Sequence, residues 1–179
     1  MLDKENTGLI IVDIQGKLAR LVSDSNELVS NCIKLIKGAQ LLGLPIVWLE
    51  QNPDKLGQII EELRVLLSNQ QPISKFSFDA CGEPRFIETI QKSKKTSWLI
   101  CGIEAHICVY QTAIHLKNLG YDIHLVSDCV SSRDESNKEL AITKLAGAGV
   151  EITGLEMSLY ELVKDCRAAE FKEILNLIK

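Results

Sequence analysis

The chain contains no Cys-x-x-Cys pair, no Gly-x-x-x-x-Gly-Lys and no Gly-x-Ser-x-Gly. Their absence removes the paired-cysteine zinc modules, the phosphate loop and the serine nucleophile elbow. Gly147-Ala-Gly149 lacks the spacing of a Gly-x-Gly-x-x-Gly fingerprint after a first strand, so no dinucleotide cofactor is expected. Histidine is scarce: the three residues, His106, His115 and His124, sit at no zinc-finger spacing from a cysteine pair. Neither a metal nor another cofactor is therefore expected. No apolar run approaches the ~20 residues of a membrane helix. The net charge is −4 with no basic block, which argues against nucleic acid as a partner. The opening Met1–Asn6 lacks the basic-then-apolar plan of a signal peptide, and the expectation is a cytoplasmic protein whose six cysteines are free thiols.

What is present is an ordinary globular composition, 46% hydrophobic and 25% charged over 179 residues. That length suits one domain, residues 1–179, with a core that needs no staples. Apolar runs rich in β-branched residues recur at 8–13, 45–50, 97–102, 123–126 and 150–153, each too short for a helix and apolar enough for a strand covered on both faces. Between them lie amphipathic stretches near 26–42, 58–67, 85–92, 105–119 and 135–146, and two short helices are expected at the end. The segment 73–80, bracketed by Pro72 and Gly82-Glu83-Pro84, reads as a loop or a short extended piece. Strand–helix alternation of this kind predicts a three-layer α/β/α fold with a central, mostly parallel sheet of five or six strands.

In such sheets chemistry gathers at the carboxyl ends of the strands. The first strand ends in Asp13, followed by Gln15, and the second in Glu50-Gln51-Asn52-Pro53. Asp13 suits a base or ligand, though a turn former would look the same. The third strand runs through Gly102-Ile103-Glu104-Ala105-His106-Ile107 into Cys108 at the start of a helix. Unpaired N–H groups and the helix dipole there can draw a thiol from ~8.5 toward neutrality. The bland alternative is one inert core thiol among six. Lys75, in a stretch without helical periodicity, would by itself be a solvated loop lysine. His106 and His115 stand two and seven residues from Cys108, so neither reaches its sulfur along a helix. Ser131, Ser132 and Arg133 read as a loop that caps the next helix, and a C-terminal stripe of Phe171, Ile174, Leu175 and Ile178 needs apolar cover from the domain's own core or from a second subunit.

The order of these signals resembles the isochorismatase-like cysteine hydrolase superfamily over about 7–163, and the Gly-Ile-Glu-Ala-His-Ile-Cys form looks closest to its isochorismatase-domain-containing subgroup. The resemblance implies Cys108 as nucleophile, Asp13 as acid/base and Lys75 as the cation that stabilises a thiolate. It also implies a cis peptide between Ile103 and Glu104 and an oxyanion hole of the Glu104 and Cys108 backbone N–H groups. The expected activity is hydrolysis of a small amide or related C–N bond, in a homo-oligomer. Alternatives are vinyl-ether hydrolysis of the isochorismatase type and a non-catalytic interaction protein. Nicotinamidases of the superfamily hold a metal through an Asp-x-His near the second strand, which Glu50-Gln51-Asn52-Pro53 lacks.

Overall fold

A computed structural model describes all 179 residues. Six strands, β1 (Thr7–Val12), β2 (Ile46–Gln51), β3 (Ile73–Lys75), β4 (Ser97–Gly102), β5 (Asp122–Val130) and β6 (Glu151–Thr153), form one sheet. Nine α-helices connect and cover them: α1 (Leu18–Leu21), α2 (Ser25–Leu41), α3 (Pro53–Leu56), α4 (Glu61–Arg64), α5 (Pro84–Ser93), α6 (Tyr110–Asn118), α7 (Glu135–Gly147), α8 (Leu155–Val163) and α9 (Phe171–Ile178). The strand order is β3-β2-β1-β4-β5-β6 and every pairing is parallel.

Alternation along the strands builds two cores, one on each face. Leu9, Ile11, Leu99 and Cys101 point to a core completed by α2, α8 and α9, while Ile10, Val12, Trp98 and Ile100 point to one completed by α5, α6 and α7. All eight side chains are fully buried, and each buried large apolar side chain contributes ~1.5–3 kcal/mol. Helix α2 presents Leu28, Cys32, Leu35, Ile36 and Ala39 on its buried face and stops at Gly43, whose positive φ of +68° lets the chain reverse. At the end of β4, Gly102 has φ +128°, and a Cβ there would lie 2.1 Å from the Val12 carbonyl oxygen. Only glycine permits that close approach of β4 to the end of β1.

Two readings of the sequence change and two open alternatives close. Within 73–80, read as a loop or a short extended piece, residues 73–75 are extended, as the edge strand β3, in register with β2 through Gln51 and Lys75. The helical stretch near 58–67 is only the short α4 followed by a 3₁₀ turn, Val65–Leu67. The stripe on α9 packs against the α2 side of the protein's own core, with Ile174 fully buried and Phe171 and Ile178 partly so. It therefore gives no support to a second subunit. Helix α7 is capped by Asp134, which accepts the Ser136 N–H, rather than by Ser131 or Ser132.

Candidate active site

The topological switch point of the sheet lies between β1 and β4, because the chain moves outward in opposite directions from those two neighbours. Asp13 leaves the end of β1 and the 103–108 segment leaves the end of β4. Asp13 has a left-handed backbone, φ +52°, a conformation that aspartate tolerates better than most residues. Its side chain is almost fully buried and its Oδ2 accepts a 2.7 Å hydrogen bond from Lys75 Nζ.

Lys75 is the reverse of a solvated loop lysine. It is fully buried, and its ammonium also donates to Gln51 Oε1 at 2.6 Å and to the Ser77 and Phe78 carbonyls at 3.2 Å. A buried cation survives only with such partners. The β2–β3 register sets Gln51 beside it, and the turn after β3 brings the two carbonyls back over its tip. Gln15, fully buried, locks the adjoining loop: its Oε1 accepts the Gln51 N–H at 2.6 Å and its Nε2 donates to the Gly57 carbonyl at 2.5 Å. It is thus a brace between strand ends and does not line the cleft.

Between β4 and α6 the chain makes a π-helical turn, Ala105–Val109. The Val109 N–H reaches five residues back to the Glu104 carbonyl at 3.3 Å, and the Ala105 N–H bonds to the Ser131 carbonyl at 2.9 Å. Such turns are frequent at functional sites because they re-aim side chains within a helix. The Ile103–Glu104 peptide is cis, and the Glu104 N–H has no protein acceptor. Cys108 is 7% exposed and lies beside Asp13.

The electrostatics differ from those read in the sequence. Burial, and then the negative charge of Asp13, push the Cys108 thiol up to about 12, against the weaker opposing pull of Lys75. The helix start does not draw it toward neutrality, because desolvation of a thiolate outweighs the dipole. Burial also raises the Asp13 carboxyl above its ordinary range, countered first by the charge of Lys75 and then by its hydrogen bond. Lys75 uses Oδ2, which leaves Oδ1 buried without a hydrogen-bond partner.

These groups open on a cleft of about 250 Å³. Its polar side is Asp13, Gln51, Glu104, Cys108 and Arg133, and its apolar side Leu18, Leu56, Phe78, Ile103 and Ile107. Glu104 is 4% exposed, and its Oε1 accepts a 2.5 Å hydrogen bond from Nε of the largely exposed Arg133. His106 turns away from the thiol to Ser132 Oγ, 2.9 Å from its Nδ1. Gln51 and Arg133 stand in stretches that the sequence marked at the strand ends, but their contacts, with Lys75 and Glu104, depend on the packing of distant segments and were not legible there. The second strand supplies no histidine: Glu50 uses Oε1 to accept the Ile59 N–H at 2.8 Å, on the other side of β2.

A six-stranded parallel sheet with helices on both faces and a cleft at its switch point defines an α/β protein of the doubly wound kind. The isochorismatase domain model matches residues 7–157, and the chain belongs to the isochorismatase family. It is 31% identical over 182 residues to isochorismatase domain-containing protein 2 of Danio rerio, covering 99% of this chain and 89% of that protein. It is 32% identical over 176 residues to a secreted isochorismatase effector of Phytophthora sojae, covering 96% and 83%. Among solved structures, the MAR1 ribonuclease of Caenorhabditis elegans superposes with a TM-score of 0.94 at 31% identity, covering 99% of this chain and 91% of that one. The octameric YcaC hydrolase of Escherichia coli, at 21% identity, shares the fold with a TM-score of 0.90, covering 99% of this chain and 94% of that one. No helix is long and apolar enough to cross a membrane.

Proposed function

We propose that this protein is a cysteine hydrolase that cleaves a small amide or related C–N bond through a thioester on Cys108. The observation that carries the reading is the convergence of three distant segments: Asp13 and Cys108 line one cleft, Lys75 is buried behind them on Asp13 Oδ2, and Asp13 Oδ1 is buried without a hydrogen-bond partner.

Burial and Asp13 push the thiol up to about 12, so the neutral thiol is the attacking form. The proton leaves as the bond forms. Sγ attacks the carbonyl carbon while its proton passes to Asp13, whose raised pKa makes it a better acceptor than an ordinary carboxylate. Lys75, bonded to Asp13 Oδ2, offsets the negative charge as it moves from the carboxylate through sulfur to the carbonyl oxygen. The free N–H of Glu104, with that of Cys108 in the first turn, is the proposed oxyanion hole, where one donor is typically worth ~3–4 kcal/mol. The tetrahedral adduct collapses as protonated Asp13 gives its proton to the leaving nitrogen, releasing ammonia or an amine. Water, deprotonated by Asp13, then attacks the thioester and the thiol is regenerated.

The cleft sets the scale of the substrate. About 250 Å³ lies below the usual range for drug-sized ligands, and half the lining is apolar. A compact molecule with an amide at one end and an apolar body fits this description. The ribonuclease activity in the name of the nematode relative has little to support it here. The one cation that lines the cleft is Arg133, already paired to Glu104, and the net charge is −4. The octameric relative supports a homo-oligomer as part of this proposal.

The test is a panel of small primary amides and ureides scored by ammonia release. Cys108→Ala is expected to lower turnover by about 10³-fold or more with an unchanged far-ultraviolet spectrum. Full turnover in Cys108→Ala, with loss in Asp13→Ala, would instead establish protonation chemistry of the vinyl-ether type.

A further inference from the structure

Outside the cleft, one cluster of side chains has no part in the chemistry above. Asp79, Cys81 and His115 bring a carboxylate oxygen, a thiol and a ring nitrogen to within 4.8 Å of one another. The turn after β3 supplies the first two and the exposed side of α6 the third. Asp79 Oδ1 accepts the Cys81 N–H at 2.9 Å, and Asp79 Oδ2 meets His115 Nδ1 at 2.6 Å. The turn is fastened to α6 a second time, by the Ala80 N–H on Thr112 Oγ1 at 3.0 Å. The ligand-bearing backbone is therefore held in place on both sides.

We propose that Asp79, Cys81 and His115 bind a divalent, zinc-like cation. The donor set is one sulfur, one nitrogen and one oxygen, the mixture that zinc accepts and that magnesium or calcium does not. Three protein ligands leave a fourth position for water on the open side, where His115 is 45% exposed. Metal–ligand bonds of ~2.0–2.3 Å place tetrahedral ligand atoms ~3.3–3.8 Å apart, so the three groups need shifts of about an ångström. The 2.6 Å carboxylate–imidazole contact opens when a cation replaces the proton between them. Capping and the Asp79–His115 pair account for two members of the cluster without a metal. Cys81 is the third, its partly buried thiol lying within 4.8 Å of both the Asp79 carboxylate and the His115 ring. A cation bound there is ligated by the thiolate, with the thiol proton released to solvent.

The site would also brace the catalytic wall. Asp79 directly follows Ser77 and Phe78, whose carbonyls hold Lys75, and Phe78 lines the cleft. The proposal does not depend on the amide-hydrolase reading, since its readout is metal binding.

The full-length protein, stripped with chelator and dialysed, is titrated with cobalt(II) and separately with zinc(II). We expect one equivalent of cobalt to give the near-ultraviolet thiolate-to-metal band and the visible bands of a tetrahedral site. Cys81→Ser should abolish the charge-transfer band, and His115→Ala should weaken zinc binding by about tenfold or more. His115 lies on the exposed side of a helix, so His115→Ala answers even where Cys81→Ser perturbs the turn. The proposal is overturned if the band persists in Cys81→Ser, or if zinc binds the wild type no more tightly than it binds His115→Ala.

Discussion

At the scale of single residues, the site runs on opposed charges whose signs can be tested one at a time. Asp13 raises the Cys108 thiol and Lys75 lowers it. Asp13→Asn removes the raising charge and leaves the cation unopposed, so the thiol pKa must fall from about 12. Iodoacetamide should therefore alkylate Cys108 faster in Asp13→Asn than in the wild type between pH 7 and 9, although amide turnover is lost. Lys75→Met moves the thiol the other way and leaves a buried carboxylate unpaired, at a cost of ~3–5 kcal/mol. Mass spectrometry of the alkylated peptides against pH reads all three proteins. An alkylation rate in Asp13→Asn equal to or below that of the wild type would remove Asp13 from its proposed place. The order of motifs pointed to Asp13, Lys75 and Cys108, and the structure sets Lys75 and Cys108 beside Asp13; the roles given to them belong to the proposal. The direction of the thiol's shift was not legible, because it depends on burial, and burial is a property of what packs around position 108.

At the scale of elements, legibility followed composition more than length. Apolar runs rich in β-branched residues marked β1, β2, β4, the first half of β5 and even the three residues of β6, expected at 150–153. Strand β3 is three residues long, with Ser74 facing outward and a lysine at its end, and no periodicity survives in so short a piece. The π-turn was invisible for another reason: it is confined to the first five residues of 105–119, too short a piece to show a change of period. The cluster of Asp79, Cys81 and His115 joins positions 34 residues apart, which only the packing of α6 on the preceding turn brings together. Helix α9 shows that a stripe does not name its cover: of the two alternatives, the domain's own core supplies it, through α2 and its neighbours. Ile174→Ala should cost ~2–5 kcal/mol in chemical denaturation, as expected for a large side chain removed from a packed core. The native mass should stay unchanged, and a shift of the variant to smaller particles would mean that α9 also serves between subunits.

At the scale of the whole molecule, the sheet order distributes the proposed chemistry unevenly. Asp13 and Cys108 hang from β1 and β4, the two central strands, whereas Lys75 hangs from β3 at one margin of the sheet. A marginal strand of three residues is paired along one side only, and β3, like β6 at the other margin, is expected to open before the centre of the sheet. Each opening of β3 carries the ammonium away from Asp13 while both cores remain intact. Function and fold are then expected to melt at different points. In urea, amide turnover should fall before the far-ultraviolet signal does, and the amide protons of residues 73–75 should exchange ahead of those in β1 and β4. Coincident loss of activity and of secondary structure would show that the margin is as firmly held as the centre. If the two separate, the working lifetime of this protein is set by the fraying of three residues and not by the strength of its core.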